Sequence, residues 1–388
     1  MEREQAIGYM RDLLQMMTNK KGSDLFISVG FPPAIKVDGN ITPISKTELT
    51  PDNTKALTYA IMKDRNIKEF EATKECNFAI SPKGIGRFRA NAHVQSGHVG
   101  MVLRTIETEV PTLEKLGLPE ILKEISLTKR GLVVMVGGTG SGKSTSLAAM
   151  IDHRNENTQG HIITIEDPIE YVHPHKGCII MQREVGMDTE DWQIALKNTL
   201  RQAPDVISLG EIRDRETMEM ALQFAETGHL AVATLHANNA NQAMDRIVNF
   251  FPEERRQQLL MDLSLNLKGV ISQRLLKKAG GKGRVAAIEI MLNSPLISDL
   301  LLNGETHQIK EIMSKSNELG MKTFDQALFD LYEDDLITYE DAIRNADSMN
   351  ELRLRIKLEG KEAKDSDKFG GLDKIELVAT DESTGLMY

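Results

Sequence analysis

Midway along the chain stands the run Gly137-Gly138-Thr139-Gly140-Ser141-Gly142-Lys143-Ser144, which sets the architecture of the residues around it. The run matches G-x-x-x-x-G-K-[ST], follows an apolar strand predicted at 132–136 and opens a helix predicted from Ser144. In that context the glycines allow backbone N–H groups to surround phosphates, and the helix N-terminus adds positive potential. Residues 137–144 and the adjoining Thr145 are therefore predicted to bind nucleotide, with Lys143 on the β- and γ-phosphates and Ser144 on Mg²⁺.

On the C-terminal side of this loop, short apolar runs alternate with amphipathic helices. Strands are predicted at 132–136, 162–165, 206–209 and 230–235, with helices from 144, at 189–201 and at 215–227 between them. Such alternation is typical of βαβ units around a buried, mostly parallel sheet. From about residue 240 to 358 we expect helices to dominate.

The N-terminal residues have a different pattern, in which one amphipathic helix is followed by short strand-like runs. Strands are predicted at 24–29, 34–37, 41–44, 76–80, 86–93 and 99–106, and Asp38-Gly39 is a hairpin-turn signal. This half predicts a small antiparallel sheet with helices on it. The chain is thus expected to be α/β, with an N-terminal domain at 1–107, a linker at 108–120, a second domain at 121–358 and a flexible, polar, acidic tail at 359–388.

The composition excludes several classes of protein. The 388 residues carry 47 Lys and Arg against 57 Asp and Glu, and this net charge of −10 argues against a protein that coats DNA or anionic lipid. The only cysteines are Cys76 and Cys178, which excludes a disulfide framework and a four-cysteine zinc site. Apolar runs fall far short of the ~20 residues that span a bilayer, and the N-terminus lacks a secretory pattern, so a cytoplasmic location is expected.

Two acidic segments follow predicted strands in the order that a phosphate-transferring enzyme requires. One strand runs into Glu166-Asp167-Pro168-Ile169-Glu170, and the strand at 206–209 runs into Gly210-Glu211. Because α/β sheets place their sites at the carboxyl ends of strands, these acids are candidates for a carboxylate near Mg²⁺ and for a group that activates water. The alternatives are a solvated acidic turn for the first segment and, for the second, a helix N-cap region containing Glu211 and Asp214.

Two histidines, His229 and His236, flank the predicted strand at 230–235. Such a pair can report on the γ-phosphate or contact an adjacent subunit. Metal binding is not expected, because the neighbouring residues of that strand offer no third ligand.

Taken together, these segments resemble the secretion ATPases that power bacterial type IV pili and type II secretion, most closely the PilT/PilU retraction branch. The resemblance spans residues 5 to about 358 and covers four boxes, which are a Walker A loop at 137–144, an acidic box at 163–170, a Walker B segment at 205–211 and a histidine box at 227–236. It implies a PAS-like α+β N-terminal domain followed by a RecA-like P-loop ATPase domain with a helical C-terminal part.

The resemblance also implies roles for individual residues. Glu170 would be the general base for the attacking water, Glu211 the Walker B carboxylate near Mg²⁺, and His229 a γ-phosphate sensor. Arg89 and Arg104, with Arg87 as a further candidate, would approach a nucleotide as the N-domain and the motor close together, and their charge would stabilise the transferred phosphoryl group. Surface-strand arginines without such a role are the alternative.

The implied activity is ATP hydrolysis with Mg²⁺ by a hexameric ring that supports pilus retraction and twitching motility. The implied partners are further copies of the chain, an inner-membrane platform protein that holds it at the cytoplasmic face of the membrane, and a sister retraction ATPase of the PilT type. Residues 296–303 lack both arginines of the PilT motif Ala-Ile-Arg-Asn-Leu-Ile-Arg-Glu, so the chain resembles PilU members more than PilT members. A partner-dependent accessory ATPase or adaptor acting on that sister motor is therefore the alternative.

Two further alternatives fit the composition less well. An assembly-type motor of the same superfamily would carry a four-cysteine zinc insertion, and the second half of this chain has only Cys178. A RecA-like DNA translocase predicts a basic groove with aromatic side chains for stacking. Aromatic residues make up 5% of this chain and its net charge is negative, so neither a nucleic-acid partner nor direct membrane insertion is expected.

Overall fold

The structure is a computed structural model that describes residues 2–361. Its helices are α1 (Arg3–Asn19), α2 (Pro51–Ile61), α3 (Asp64–Thr73), α4 (Ile121–Ser126), α5 (Lys143–Asn157), α6 (Trp192–Thr199), α7 (Arg215–Glu226), α8 (Ala240–Asn249), α9 (Glu253–Asn266), α10 (Pro295–Asn303), α11 (Ile309–Lys315), α12 (Phe324–Glu333), α13 (Tyr339–Asn345) and α14 (Met349–Glu359). Its strands are β1 (Asp24–Ile27), β2 (Ala34–Val37), β3 (Asn40–Pro43), β4 (Glu75–Ile80), β5 (Arg87–Gln95), β6 (His98–Ile106), β7 (Gly131–Val136), β8 (Gly160–Glu166), β9 (Cys178–Glu184), β10 (Val206–Leu209), β11 (Leu230–Leu235), β12 (Leu267–Lys277) and β13 (Arg284–Leu292).

The first sheet is antiparallel and has the strand order β3-β2-β1-β6-β5-β4, as the alternating pattern of the N-terminal residues predicts. Helices α1 and α2 cover one face with side chains such as Leu13 and Leu57. The hairpin predicted at Asp38-Gly39 joins β2 to β3. Both turn residues have positive φ (49° and 83°), which suits a two-residue turn between twisted strands.

The second sheet has the order β13-β12-β7-β11-β10-β8-β9 and is parallel except for β13. Both faces are covered, because alternate residues of β7 enter different cores. Val134 packs in the cluster that contains α7, whereas Met135 packs in the cluster that contains α5. A buried parallel sheet with helices on both faces is what the alternating apolar runs predict, and the α/β fold class is confirmed.

The expectation of helices beyond residue 240 was incomplete, because β12 and β13 lie in that region and β12 pairs with β7 inside the sheet. The strand β9 also lacked a prediction. Polar residues interrupt all three strands, as Gln182 and Arg183 do in β9, Gln273 in β12 and Glu289 in β13, so neither a strict alternation nor a continuous apolar run indicates them. The tail predicted at 359–388 lies, from residue 362 onward, outside the described residues.

The parallel strands of the second sheet bring four chain segments together at one edge, which is the edge formed by the carboxyl ends of the strands. The strands β7, β8, β10 and β11 all point the same way, so the segments after Val136, Glu166, Leu209 and Leu235 emerge side by side. This edge is where an open α/β sheet binds its ligand. Within residues 2–361, no helix is both long enough and apolar enough to cross a bilayer.

Candidate active site

The loop after β7 has backbone conformations and close approaches that require glycine. Gly142 has φ of 85°, and a Cβ atom there would lie 2.7 Å from Nε2 of Gln273. Gln273, on β12, supports both ends of the loop, since its Nε2 donates to the carbonyl of Ser141 (2.8 Å) and its Oε1 accepts from Oγ of Ser146 (2.7 Å). The phosphate-loop backbone is therefore held in place by the neighbouring strand as well as by its own glycines.

Lys143 starts α5 and turns back over this loop. Its Nζ donates to the carbonyls of Gly137 (2.7 Å) and Gly138 (2.9 Å), and the residue is 8% exposed. Burial lowers the pKa of the ammonium, while the carboxylates of Glu211 and Glu170 act in the opposite direction. An ammonium held by two neutral carbonyls at a helix N-terminus is well placed to bind an anion.

A cavity of about 240 Å³ opens beside Lys143 at this edge of the sheet. It brings together the phosphate loop, the acidic loop after β8, the end of β10 and the end of β11. The residues predicted for nucleotide, metal and base roles that line it are Thr139, Gly140, Lys143, Ser144, Glu170 and Glu211. Glu170 and Glu211, for which a solvated turn and a helix cap were the alternatives, thus lie in one cavity with Lys143.

The two glutamates of the acidic loop have different surroundings. Glu166 accepts hydrogen bonds from Oγ1 of Thr164 (2.6 Å) and Nε2 of Gln182 (3.2 Å), and its burial raises the pKa of the carboxyl group. The exposed Glu170 carboxylate makes no hydrogen bond or ion pair within residues 2–361. The carboxylate of Glu166 is thus occupied by hydrogen bonds within the fold, whereas the carboxylate of Glu170 is free to contact a ligand or a water molecule.

The carboxylate of Glu211 is held by two partners at the opposite wall of the cavity. Nε of Arg213 lies 2.9 Å from Oε2, and Nε2 of His236 lies 3.3 Å from Oε1. Arg213 also reaches Asp167 (3.5 Å) and stacks at 6.0 Å from the ring of Trp192. The helix-cap interpretation holds for a neighbour, since Asp214 accepts the N–H of Thr217 (2.8 Å) at the start of α7.

The two histidines lie at opposite ends of β11, and His229, the predicted γ-phosphate sensor, does not line this cavity. His229 precedes β11, where its Nδ1 lies 3.0 Å from Oγ1 of Thr227 and 3.2 Å from the carbonyl of Phe224. His236 follows β11 and lines the cavity. A six-residue strand separates the two side chains, so within one chain His236 is the histidine that can contact a ligand in this cavity.

The predicted arginine fingers lie outside this cavity in a single chain. Arg89 and Arg104 are cross-strand neighbours on β5 and β6, and they line a second cavity of about 590 Å³ between the two sheets. Nε of Arg104 is 2.8 Å from Oδ1 of the buried Asp24. The other wall of this second cavity is the acidic loop, including Glu170. The structure therefore brings the arginines to the outer side of the loop whose inner side faces Lys143.

Three residues that lacked a prediction line or support the site: Trp192, Arg213 and Gln273. His236 was a candidate together with His229, and it lies at the cavity because it follows a strand at the carboxyl end of the sheet, as the phosphate loop does. Arg213 lies two residues after Glu211, but nothing in the sequence indicates that its side chain turns back. Gln273 gave a weak signal as a polar residue in an apolar run, and that run had not been recognised as a strand.

A parallel sheet covered by helices, a phosphate loop and two carboxylates at one edge define the class of RecA-like P-loop ATPases. Residues 6–326 match the family model for type II/IV secretion system proteins. The chain is 58% identical to the type IV pilus ATPase PilU of Pseudomonas aeruginosa, with 95% of this chain and 97% of that protein covered. It is 45% identical to the type IV pilus retraction ATPase PilT of the same organism, with 86% and 97% covered.

The crystal structure of the pilus retraction motor PilT with bound ADP matches with a TM-score of 0.82 at 42% identity, and the match covers 88% of this chain and 98% of that one. The chain belongs to the type II/IV secretion system family, as a type IV pilus motor ATPase of its PilT/PilU branch. The resemblance seen in the four sequence boxes is thereby confirmed.

Proposed function

We propose that this ATPase supports pilus retraction and twitching motility as a hexameric ring. The observation that carries the proposal is the meeting of Lys143, Glu170 and Glu211 around one cavity at the carboxyl edge of the second sheet. The likeness to PilT, which is named as a retraction ATPase, supports pilus retraction as the process that the ATPase drives. We also propose the domain division at 1–107, 108–120 and 121–358, which agrees with a first sheet that ends at Ile106 and a second that begins at Gly131.

In the proposed reaction, the phosphate loop holds the triphosphate and the helix N-terminus of α5 faces it. The hydroxyl of Ser144 and the carboxylate of Glu211 line the same cavity, and such oxygen donors suit Mg²⁺. When bound, Mg²⁺ would neutralise charge on the β- and γ-phosphates. The backbone N–H groups of residues 137–145 and the ammonium of Lys143 orient the phosphates for attack.

The free carboxylate of Glu170 acts as the general base. It accepts a proton from the water molecule that attacks the terminal phosphorus, the bond between that phosphorus and the bridging oxygen breaks, and ADP leaves with phosphate. His236, next to Glu211, is the histidine that faces the γ-phosphate side of the cavity. Through the contact of its Nε2 with Glu211, the presence or absence of the γ-phosphate affects the Walker B carboxylate.

Arg89 and Arg104, with Arg87 beside them, act when the first sheet moves against a nucleotide, either in the same chain or in an adjacent copy. A guanidinium placed on the transferred phosphoryl group stabilises its spreading charge. In a single chain these side chains face the acidic loop, so they need a rearrangement or a neighbour to reach a phosphate. A closed ring supplies that neighbour to every subunit.

In the cell, we propose that the ring acts at the cytoplasmic face of the inner membrane by binding the pilus platform protein, and that it works beside a sister motor of the PilT type. The likeness to PilU and PilT supports these partners. Pilus retraction measured in cells that lack this chain, with and without the sister motor, tests them directly. Unchanged retraction in both backgrounds contradicts the proposal.

The site itself is tested in purified protein. Lys143→Ala should abolish ATP turnover because it removes the ammonium of the phosphate loop, and Glu170→Gln should lower kcat by about a hundredfold or more while nucleotide still binds. Glu48→Gln, an exposed substitution far along the chain from the site, is the matched control. Wild-type turnover in Lys143→Ala contradicts the site assignment.

A second candidate function is an accessory ATPase or adaptor that docks on the sister motor. The observation that favours it is the surface of α10, where Leu296 (51% exposed) and Leu302 (41% exposed) lie in the segment that lacks the two arginines of the PilT motif. Retraction restored by Glu170→Gln as well as by the wild-type chain would favour the adaptor. Loss of retraction with that variant favours the motor.

A further inference from the structure

Two side chains on the edge strand β9 hold the residues on either side of Glu170. Gln182 donates from Nε2 to the carbonyl of Tyr171 (2.8 Å) and accepts the N–H of His173 at Oε1 (2.8 Å). Glu184 accepts the N–H of Ile169 at Oε2 (3.3 Å). Both neighbours of Glu170 along the backbone are therefore bonded to one strand, while its own carboxylate makes no bond to the described part of the protein.

These bonds are made by residues that are held in the parallel ladder between β9 and β8. β9 pairs in parallel with β8 along seven residues, so that Glu184 lies opposite Glu166 and Gln182 opposite Thr164. Gln182 also donates to Glu166 (3.2 Å), which ties the first residue of the acidic loop to the same strand. A carboxylate on an irregular loop needs such external support, because a displacement of about 1 Å can lower a rate by about a hundredfold.

The side chain of Glu184 lies inside the fold. It is 2% exposed, and this burial raises the pKa of its carboxyl group, while the N–H of Ile169 and the guanidinium groups of Arg89 and Arg87 act in the opposite direction. The hydrogen bond to Ile169 is thus made by a side chain that is shielded from solvent.

We propose that Gln182 and Glu184 are positioning residues for Glu170, which hold the backbone on either side of it so that its carboxylate stays at the cavity beside Lys143. The inference rests on the proposed function, since it takes Glu170 as the general base. Neither side chain lines that cavity, so both act through the backbone of the acidic loop.

The test compares steady-state ATP turnover and nucleotide affinity in the full-length purified chain with Mg-ATP. Glu184→Ala and Gln182→Ala should lower kcat about ten- to a hundredfold, because the backbone around Glu170 loses its acceptor or donor. The Kd for nucleotide, read from the fluorescence of Trp192, should stay within about threefold, because the phosphate loop is untouched. Met181→Ala, which removes a half-exposed side chain from the same strand, is the matched control and should behave as wild type.

The conservative variant Glu184→Gln tests whether the hydrogen bond to the loop carries the effect. Its amide oxygen still accepts the N–H of Ile169, so most of kcat should be retained. A loss of kcat as large as that of Glu184→Ala would contradict the positioning role of this bond.

Failure of this inference differs from failure of the proposed function. If Glu170→Gln abolishes turnover but Glu184→Ala and Gln182→Ala match Met181→Ala, the positioning role is wrong and the base assignment stands. If Glu170→Gln turns over normally, the base assignment is wrong. In the double variant Glu170→Gln/Glu184→Ala the losses should not multiply, and multiplied losses contradict the inference. Should Glu184→Ala not fold, as judged by its thermal transition, Gln182→Ala and Glu184→Gln decide the question.

Discussion

Nε2 of His236 lies 3.3 Å from Oε1 of Glu211, at the end of the strand that separates His236 from His229. Burial and the nearby Lys143 lower the pKa of the imidazole, although Glu211 acts in the opposite direction. The ring is therefore neutral at neutral pH, and it acts on Glu211 through a hydrogen bond rather than through a full ion pair.

We predict that His236→Ala lowers kcat about tenfold or more, because Glu211 loses the group that orients one of its oxygens. His229→Ala, at the opposite edge of the sheet, should keep kcat within about twofold of wild type. Steady-state ATP hydrolysis of the two purified variants measures both effects, at a temperature well below their unfolding transitions. A larger loss for His229→Ala than for His236→Ala would restore the original assignment.

The single tryptophan of the chain, Trp192, lines the cavity, and a Cβ atom on Gly210 would lie 3.1 Å from its ring. We predict that ADP or ATP changes the tryptophan fluorescence in a saturable way, because nucleotide replaces water beside the indole. Titration of the wild-type chain gives the Kd. The same titration of Lys143→Ala should be flat over that range, and an equal signal in that variant would mean that the ligand binds elsewhere.

Gln273 holds the phosphate loop through bonds to Ser141 and Ser146. Gln273→Leu should weaken nucleotide binding by about tenfold, since two buried groups lose their partner and the loop loses its support. The Trp192 titration measures this effect, and the exposed substitution Lys277→Leu, near the end of the same strand, is the control. An unchanged Kd in Gln273→Leu would show that the glycines alone fix the loop.

A pH effect is expected at Glu289, a buried residue of β13 that accepts the N–H of Ala240 (2.7 Å) at the start of α8. Burial raises the pKa of its carboxyl group from 4.5 to about 7. The folded chain thus binds this proton more tightly than the unfolded chain. The resulting stabilisation is complete below about pH 4.5 and is lost as the pH rises through about 7.

Glu289→Gln keeps an acceptor for Ala240 and does not titrate. The variant should therefore gain stability relative to wild type as the pH rises from about 5 to about 8, on the order of 1 kcal/mol per pH unit over the steepest part. Thermal or urea unfolding at both pH values measures the difference. The exposed Glu48→Gln should show no such trend, and a difference that is constant with pH would contradict the assignment to Glu289.

Much of the second sheet could be predicted from the sequence because its signals are local. The phosphate loop has fixed residue types at fixed spacing, and β7, β10 and β11 are short apolar runs bounded by polar turns. The hairpin at Asp38-Gly39 is local for the same reason. The strands β12 and β13 could not be recognised, because buried polar residues such as Gln273 and Glu289 interrupt both the alternation and the apolar run that indicate a strand.

The location of a site residue could be predicted where that residue follows a strand in the sequence. It could not be predicted where the side chain contacts a segment that is distant in the sequence. Glu170 lies four residues after β8 and Glu211 two residues after β10, so the end of the sheet at which they lie follows from the chain direction. The same chain direction places His236, which follows β11, at this end of the sheet, and His229, which precedes β11, at the other end. The bonds of Gln182 and Glu184 to the acidic loop depend on β9 lying at the sheet edge, which no local pattern indicates.

Pro168, Glu170 and Tyr171 border both the cavity beside Lys143 and the cavity beside Arg104. One layer of backbone therefore separates the nucleotide side from the seam between the two sheets. The N–H of Val172 donates to the carbonyl of Glu107 (3.0 Å), which joins the end of this layer to the segment leaving β6. A shift of this layer towards one cavity would therefore take it away from the other, so the nucleotide side and the seam between the two sheets share one segment of backbone.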